Sequence, residues 1–138
     1  MDQVDRAETD AEAAVRKVVE DWADAVRRRD ISAILRNHST DILMFDLPPP
    51  LQSQGIEAYK QTWDLFFSWA KDPATFDVLE MRIAAGSDVA FVAAVMRCAG
   101  REPGGESVEL DFRLTLGLHN ADGQWMITHE HHSVPAAH

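Results

Sequence analysis

VELDFRLTLGLHNADGQWMITHEHHSV, residues 108–134, predicts a long β-hairpin. From Val108 to Leu118 every second residue is apolar and the residues between them are polar or glycine, which is typical of a strand with one face against a core. Residues 120–123, Asn-Ala-Asp-Gly, supply the turn. The return strand runs from Trp125 to Val134 and holds several titratable side chains at fixed positions, which indicates a pocket or a subunit interface.

The turn decides which residues of the two strands share a face. A type I turn followed by a glycine bulge gives a three-residue loop and sets Leu114 opposite Glu130. The leucine face, directed at the core, then carries Met126, Thr128, Glu130 and His132. The outer face carries Arg113, Thr115, Trp125, Ile127, His129 and His131. A four-residue loop is the alternative. It would shift the pairing by one residue, which turns one strand over, so that Arg113 and Thr115 would share a face with Thr128 and Glu130. We assign the two faces from the alternation of leucines in the first strand, which corresponds to the three-residue loop.

The overall composition argues against several classes of function. The chain has 138 residues, 46% of them hydrophobic and 26% charged, so we expect one globular domain over residues 1–138. The net charge of −10 argues against a nucleic acid or an anionic membrane as partner. Cys98 is the single cysteine, which excludes an internal disulfide. No apolar run reaches the ~20 residues of a membrane span, and the acidic start does not resemble a signal peptide, so we expect a cytoplasmic location.

The first half of the chain predicts helices. Thr9 and Glu12 have the spacing of a capping box, and the helix that follows has one apolar stripe, formed by Ala11, Val15, Val18, Trp22 and Val26. Residues 27–29, three arginines, suit the carbonyl end of that helix. Asp30 can cap a second short helix from Ile31 to Asn37.

The remaining segments predict a sheet and one more helix. A strand from Asp41 to Asp46 leads into a proline-rich loop at residues 47–51, and a third helix covers residues 55–71, where Pro73 bars its continuation. Two further strands cover residues 76–85 and 88–99. Three helices and a run of mostly antiparallel strands make an α+β domain.

Two motifs carry a family resemblance. Met-Phe-Asp-Leu-Pro-Pro at 44–49 and the ending Gly-Gln-Trp-Met-Ile-Thr-His-Glu-His-His-Ser-Val-Pro at 123–135 resemble the ketosteroid-isomerase-like and SnoaL-like proteins of the nuclear transport factor 2-like superfamily. The ending also resembles the association domain of calmodulin-dependent kinase. The resemblance implies a cone-shaped α+β barrel, in which a strongly curved sheet wraps three N-terminal helices around a cavity. It also implies a homodimer through the outer face of the sheet, here Arg113, Thr115, Trp125, His129 and His131.

The same resemblance suggests roles for individual residues. Ketosteroid isomerases use a strand carboxylate as base and an oxyanion hole made of a tyrosine and a protonated acid. By alignment Asp46 takes the position of the base, Trp22 that of the tyrosine and Thr115 that of the second acid. The oxyanion donors therefore differ from the family pattern, which argues against steroid isomerisation itself.

Reasoning from the residues gives a candidate cavity site. Asp46 shares a strand face with Met44, and a carboxylate that faces an apolar cavity loses hydration, which strengthens it as a base. The competing interpretation is that Asp46 only caps the proline-rich loop. Glu130 and His132 would relay a proton or bind a ligand carbonyl, or else form a solvated strand end. We expect the ligand to contact Trp22, Met44, Trp63 and Thr128.

Two classes of function follow from this site. The first is a binding domain for a small apolar or carbonyl-containing ligand, acting as an isomerase, cyclase or hydratase with Asp46 as general base. The second is a non-catalytic ligand-binding or dimerisation module of the same fold. His129 and His131 have a spacing that suits zinc, but no third ligand accompanies them, so we predict no metal and no cofactor.

Overall fold

The computed structural model describes residues 7–136, and that range contains three helices and one six-stranded sheet. The sheet has the order β2-β1-β6-β5-β4-β3, and all neighbours are antiparallel except β1 and β6. This arrangement confirms the predicted α+β class. The elements are α1 Asp10–Arg27, α2 Ile31–Leu35, β1 His38–Phe45, β2 Ser53–Gln54, α3 Ile56–Trp69, β3 Phe76–Ala85, β4 Val89–Arg101, β5 Ser107–Ala121 and β6 Gln124–Ser133.

The helix starts follow the local sequence. Thr9 and Glu12 form the predicted capping box at the start of α1, and Asp30 accepts a hydrogen bond from the backbone of Ala33 at the start of α2. Helix α2 ends at Leu35, earlier than predicted, because Arg36 is already extended with a ψ of 142°, and Asn37 follows with a left-handed φ of 61°. Helix α1 packs against β3 and α3 packs against β1. None of the helices within residues 7–136 is long and apolar enough to cross a membrane. The segment 1–6, on which the expectation about a signal peptide depends, lies outside the described residues.

The C-terminal end of α3 is held by one arginine. The Arg29 guanidinium donates hydrogen bonds to the carbonyl oxygens of Phe67, Ala70 and Lys71 at 2.8–3.3 Å, and it lies 5.1 Å from the centre of the Phe67 ring. These carbonyls have no partner within the helix, so the arginine supplies the missing donors. The Arg29 side chain therefore fixes the end of α3 to the end of α1.

The hairpin turn is tighter than either predicted loop. Ala121 pairs with Gln124, so only Asp122 and Gly123 lie between the strands. Both have positive φ, 52° and 88°, as a two-residue type I′ turn requires, and this turn matches the twist of the two strands. The predicted three-residue loop and the four-residue alternative are both wrong for this reason.

A β-bulge at Thr128 changes the face of β6 part of the way along the strand. Leu118 pairs with Ile127, but Gly117 pairs with His129, so Thr128 is an extra residue in β6. Before the bulge, Ile127 and Trp125 face the core, where Trp125 is 6% exposed. The prediction that Trp125 and Ile127 lie on the outer face, with Met126 and Thr128 inside, is therefore wrong.

Beyond the bulge the predicted faces are recovered. Leu116 pairs with Glu130 and Leu114 with His132, and all four side chains are buried. The tight turn shifts the register by one residue and the bulge shifts it by one more, so the second half of β6 keeps the orientation that the leucine alternation predicts. This double shift places Glu130 and His132 on the inner face of the sheet.

Candidate functional site

A cavity of about 310 Å³ lies between α3, the end of β1 and the inner face of the sheet. Its wall is largely apolar and aromatic, and its volume is at the lower end of the usual range for small-molecule sites, roughly 300–1,000 Å³. Asp46 and His132 are the acidic and the basic side chain on this wall, and Cys98 is its third titratable group. The lining residues are Met44, Asp46, Leu47, Pro48, Thr62, Trp63, Leu65, Phe66, Ser68, Trp69, Phe76, Cys98, Leu110, Phe112 and His132.

Strand alternation brings Asp46 to the cavity. Ile42 and Met44 are buried on the inner face of β1, and Asp46 follows two residues later, just beyond the end of the strand. Its Oδ1 accepts a hydrogen bond of 2.8 Å from the backbone N–H of Leu47. The carboxylate therefore caps the start of the proline-rich loop and also lines the cavity, and both interpretations of Asp46 stay predictions.

His132 lies between two carboxylates. Its Nε2 is 2.8 Å from Glu130 Oε2 and its Nδ1 is 3.3 Å from Asp46 Oδ1. A carboxylate accepts hydrogen bonds and does not donate them, so both ring nitrogens must carry a proton for both contacts to be favourable. Burial opposes this charge, but the hydrogen bonds to Asp46 and Glu130 prevail and raise the pKa of His132 to about 9. At neutral pH the side chain is therefore an imidazolium.

Glu130 is a fully buried carboxylate with donors on both oxygens. Its Oε1 accepts a hydrogen bond of 2.8 Å from the Tyr59 hydroxyl, and its Oε2 faces His132. Burial alone would raise the pKa of Glu130, but its interactions with His132 and His38 lower the pKa well below the ordinary value. Glu130 therefore holds the negative charge that stabilises the His132 imidazolium from the side away from the cavity.

Tyr59, on α3, is the centre of the buried network and was missed by the sequence reasoning. Its hydroxyl accepts a hydrogen bond from Trp22 Nε1 at 3.2 Å, donates to Glu130, and lies 3.0 Å from His38 Nε2. Burial and the nearby Glu130 charge raise its pKa well above the ordinary value, so the phenol stays protonated. The available signal was its place in the apolar stripe of α3, because a buried tyrosine needs a partner for its hydroxyl.

His38 was also missed. It stands at the start of β1, which begins three residues earlier than predicted, and its ring is stacked on that of Tyr59 with 4.8 Å between centres. Its Nδ1 lies 2.9 Å from the carbonyl oxygen of Arg36. No pattern in the sequence links this histidine with the distant hairpin, since the contact depends on the parallel pairing of β1 with β6.

Two of the four predicted ligand contacts line the cavity. Met44 and Trp63 line it, whereas Trp22 is buried against Tyr59 and Thr128 donates to the carbonyl of Gly117 within the bulge. The indole N–H of Trp63 is buried without a hydrogen bond of its own, although it is close enough to the Tyr59 hydroxyl to reduce the rise in that pKa. Trp22 and Thr128 are thus not among the lining residues.

The outer face of the sheet carries four of the five predicted interface residues. Thr115 pairs with His131, Gly117 pairs with His129, and Arg113 donates a hydrogen bond to Ser133. Next to them on β4, Phe91 pairs with Gly117 and is 55% exposed. Trp125 does not belong to this face, for the reason given above. Residues 7–136 contain no cluster of three or more His, Cys, Asp or Glu side chains that could hold a metal ion.

The arrangement combines a base with a nearby cation. Asp46 is an acceptor on an apolar wall, and His132 is a protonated donor in contact with it. Burial raises the pKa of the Cys98 thiol to about 12, so this thiol stays protonated and is a poor nucleophile. The chemistry that these groups can perform is proton transfer with stabilisation of a developing negative charge.

Comparison with known proteins gives the wider context of the fold. The model of a family described as SnoaL-like domain matches residues 15–137. A solved NTF2-like protein of unknown function from Pseudomonas putida KT2440 is 31% identical, with a TM-score of 0.83 over 94% of this chain and 90% of that one. No curated protein matches the chain.

Two more distant structures share the fold alone. A ketosteroid isomerase-like protein from Erwinia carotovora atroseptica SCRI1043 is 15% identical, with a TM-score of 0.78 over 94% of this chain and 100% of that one. A putative calcium/calmodulin dependent protein kinase II association domain from Xanthomonas campestris is 16% identical, with a TM-score of 0.76 over 99% of both chains.

Proposed function

Since this chain belongs to the SnoaL-like domain family, we propose that its cavity binds a small apolar carbonyl compound and that Asp46 acts on it as a general base. The reaction class is isomerisation, cyclisation or hydration. In the first two the base removes a proton from a carbon next to a carbonyl group, and in a hydration it removes a proton from the attacking water. We propose that the chain works as one domain and that the reaction needs no metal or cofactor.

The observation that carries this proposal is the contact between Asp46 and the His132 imidazolium on an apolar wall. Asp46 Oδ1 is engaged by His132 and by the backbone of Leu47, while no residue within 7–136 donates a hydrogen bond to Oδ2. That oxygen is therefore free to accept a proton from a bound molecule. An apolar surrounding strengthens such an interaction because water does not compete for it.

The His132 imidazolium favours proton transfer from the ligand to Asp46, because it can stabilise the enolate that results. When Asp46 removes a proton from the ligand, its negative charge moves to the carbonyl oxygen of the resulting enolate. The protonated Asp46 is then a weaker acceptor, so the Nδ1–H of His132 is released and can donate to the enolate oxygen. This donor becomes available as the charge develops, which favours the transition state over the bound ground state.

Glu130 and Tyr59 would act as positioning residues in this reaction. Glu130 keeps His132 protonated, and a protonated imidazole cannot compete with Asp46 as a base. Tyr59 and Trp22 hold Glu130 in place from the core side. His132 thus stays protonated while Asp46 exchanges a proton with the ligand.

The test is hydrogen–deuterium exchange into enolisable apolar ketones, followed by proton NMR in deuterated buffer. We expect the wild-type protein to accelerate exchange for at least one ketone of a panel, and Asp46→Asn to lower the rate roughly 10²–10⁴-fold, the usual contribution of a general base. Asp64→Asn is the matched control, since Asp64 is an exposed acid on α3 outside the cavity lining. Exchange that is equally fast in Asp46→Asn, or absent with every ketone, would overturn the proposal.

The second candidate is a non-catalytic ligand-binding or dimerisation module. The exposed Phe91 beside Gly117 on the outer sheet face and the shared fold with a putative kinase association domain favour a second copy of the chain as partner. We expect light scattering at micromolar concentration to give the mass of a dimer, and Phe91→Asp to give a monomer. A dimer combined with ligand binding that does not depend on Asp46 and with no ketone exchange would favour the module.

A further inference from the structure

We infer that the cavity excludes carboxylates and phosphates and that, among uncharged or cationic apolar ligands, it binds those with a hydrogen-bond donor for Asp46 more tightly than those without one. This inference deepens the proposed function and rests on the same cavity, but it concerns binding and not catalysis. In the carbonyl compound proposed above, the donor would be a group other than the reacting carbonyl. Three observations support the inference: the donors of His132, Thr62 and Ser68 are already engaged, one acceptor is free, and the local charge is negative.

Three polar side chains of the wall have their hydrogen-bond donors engaged within the protein. Both N–H groups of His132 face carboxylates. The hydroxyl of Thr62 donates to the carbonyl of Tyr59 and that of Ser68 donates to the carbonyl of Leu65, each at 2.6 Å. The indole N–H of Trp63 is buried, and Trp69 contributes a second indole to the lining. A ligand that only accepts hydrogen bonds therefore finds the donors of His132, Thr62 and Ser68 already engaged.

The free group is an acceptor. Asp46 Oδ2 has no hydrogen bond from the described residues, and the Asp46 side chain keeps 19% of its surface exposed. A carboxylate oxygen without a partner binds a hydroxyl or ammonium group strongly, because hydrogen bonds to charged groups are about twice as strong as those between neutral groups. A bound hydroxyl would place its proton on the same oxygen that we propose as the base.

The charge near this acceptor is negative. Asp46 and Glu130 both contact His132, so two carboxylates share one imidazolium and one negative charge remains. Within residues 7–136 no lysine or arginine lines the cavity, and His38 is separated from the cavity by Tyr59. This charge would repel an anionic ligand, and the apolar wall screens the repulsion less than bulk water does.

The remaining lining residues are largely aromatic and indicate a mainly apolar ligand. Rings surround the cavity from α3, β3 and β5, namely Trp63, Phe66, Trp69, Phe76 and Phe112. The Trp63 ring lies 5.6 Å from that of Phe76 and 5.4 Å from that of Phe66. Flat or cyclic hydrocarbon groups fit such a wall because aromatic contacts add to the free energy of burial.

The test compares three aromatic probes of similar size, 2-naphthol, 2-methoxynaphthalene and 2-naphthoate, by isothermal titration calorimetry at pH 7. We expect 2-naphthol to bind roughly 10–100-fold more tightly than 2-methoxynaphthalene, which cannot donate. We expect 2-naphthoate to bind most weakly of the three. The protein variants are Asp46→Asn and, as matched control with the same change of charge, Asp64→Asn.

The Asp46→Asn variant removes both the charged acceptor and the net negative charge on which the selectivity depends. In Asp46→Asn we expect the affinity for 2-naphthoate to rise by about 10-fold or more and the advantage of 2-naphthol to fall, whereas Asp64→Asn keeps the wild-type order. Equal or tighter binding of 2-naphthoate by the wild type, or an order unchanged by Asp46→Asn, would overturn the inference.

The outcomes separate the two proposals. The expected order of binding, found together with ketone exchange that does not depend on Asp46, retains the ligand class and rejects the catalytic role. Ketone exchange that depends on Asp46, found with a different order of binding, retains the catalytic role and rejects the ligand class. Failure of all three probes to bind the wild-type protein, together with no exchange into any ketone, would reject both, since each needs an apolar cavity that is open to such molecules.

Discussion

The stability of this protein should fall as the pH rises from 6 to 8.5. The cause is His132, whose folded-state pKa of about 9 is above its ordinary value of 6.5. The folded protein binds this proton more tightly than the unfolded chain does. The resulting stabilisation is complete below pH 6.5 and is lost as the pH rises through 9.

The size of the effect follows from the same pair of values. With these pKa values the proton on His132 contributes about 3 kcal/mol at pH 6 and about 1 kcal/mol at pH 8.5, so the expected loss is about 2 kcal/mol. Glu130 has the opposite shift, and its contribution is lost only as the pH falls below 4.5. Cys98 has its ordinary pKa at 9.0, and the folded protein raises it, so it affects stability mainly above this range.

The measurement is urea unfolding, followed by tryptophan fluorescence, at fixed protein concentration and at pH 6, 7 and 8.5. His132→Gln should be less stable than the wild type at pH 6 and should lose most of the pH dependence. His131→Gln is the matched control, because His131 is the exposed neighbour on the other face of β6. A stability that is flat or rises between pH 6 and 8.5, or that keeps its slope in His132→Gln, would refute the reasoning.

Three further substitutions test the packing around the site, each by urea unfolding. Tyr59→Phe removes a hydrogen bond to the charged Glu130 and leaves a buried indole N–H without its acceptor, so we expect a loss of roughly 3 kcal/mol. Gly100→Ala would place a methyl group 2.2 Å from the Trp69 ring, and we expect a loss of about 1–3 kcal/mol from overpacking. Arg29→Lys loses the planar fork that reaches three carbonyls of the α3 end, and we expect a loss of about 1–2 kcal/mol.

Each of these substitutions has a control or a clear negative outcome. Gly104→Ala changes a glycine whose added Cβ would have ordinary contacts, and it should be nearly neutral. A loss below about 1 kcal/mol for Tyr59→Phe would mean that water replaces the hydroxyl. A neutral Gly100→Ala would mean that the Trp69 ring can move away, and a neutral Arg29→Lys that the ammonium satisfies the same carbonyls.

The fold and half of the site could be predicted because they depend on local patterns. The alternation of β5 and the capping residues Thr9 and Asp30 fix their elements through neighbours in the chain. Asp46 reaches the cavity because it continues the buried face of β1. Such features need no knowledge of distant partners.

The hairpin register was only partly predictable. The dipeptide Asp122-Gly123 is itself a signal for a two-residue turn, but the preceding Asn120 also suits a longer loop, and its side chain does accept the backbone N–H of Gly123. The bulge at Thr128 has no local signal. It is set by the core on one side and by the pairing of β6 with β1 on the other.

The contacts that join the buried network could not be predicted. Tyr59, His38 and Glu130 come from α3, β1 and β6, and each of these contacts joins residues at least 21 positions apart. A tyrosine in an apolar stripe and a histidine at a strand start have ordinary explanations when each is considered alone. Only the three-dimensional arrangement shows that their polar atoms meet.

The bulge at Thr128 makes the identity of the cavity wall depend on strand register as well as on side-chain chemistry. If β6 continued past Ile127 without a bulge, Thr128 would lie opposite Gly117, so that His129 and His131 would point inwards and the buried acid and imidazolium would point to solvent. Deleting Thr128 would instead close the bulge and keep His129 opposite Gly117, so the acid and the imidazolium would stay on the inner face. A slip of one residue in this strand is therefore enough to replace an ionic pair by two imidazoles on the same scaffold without any substitution.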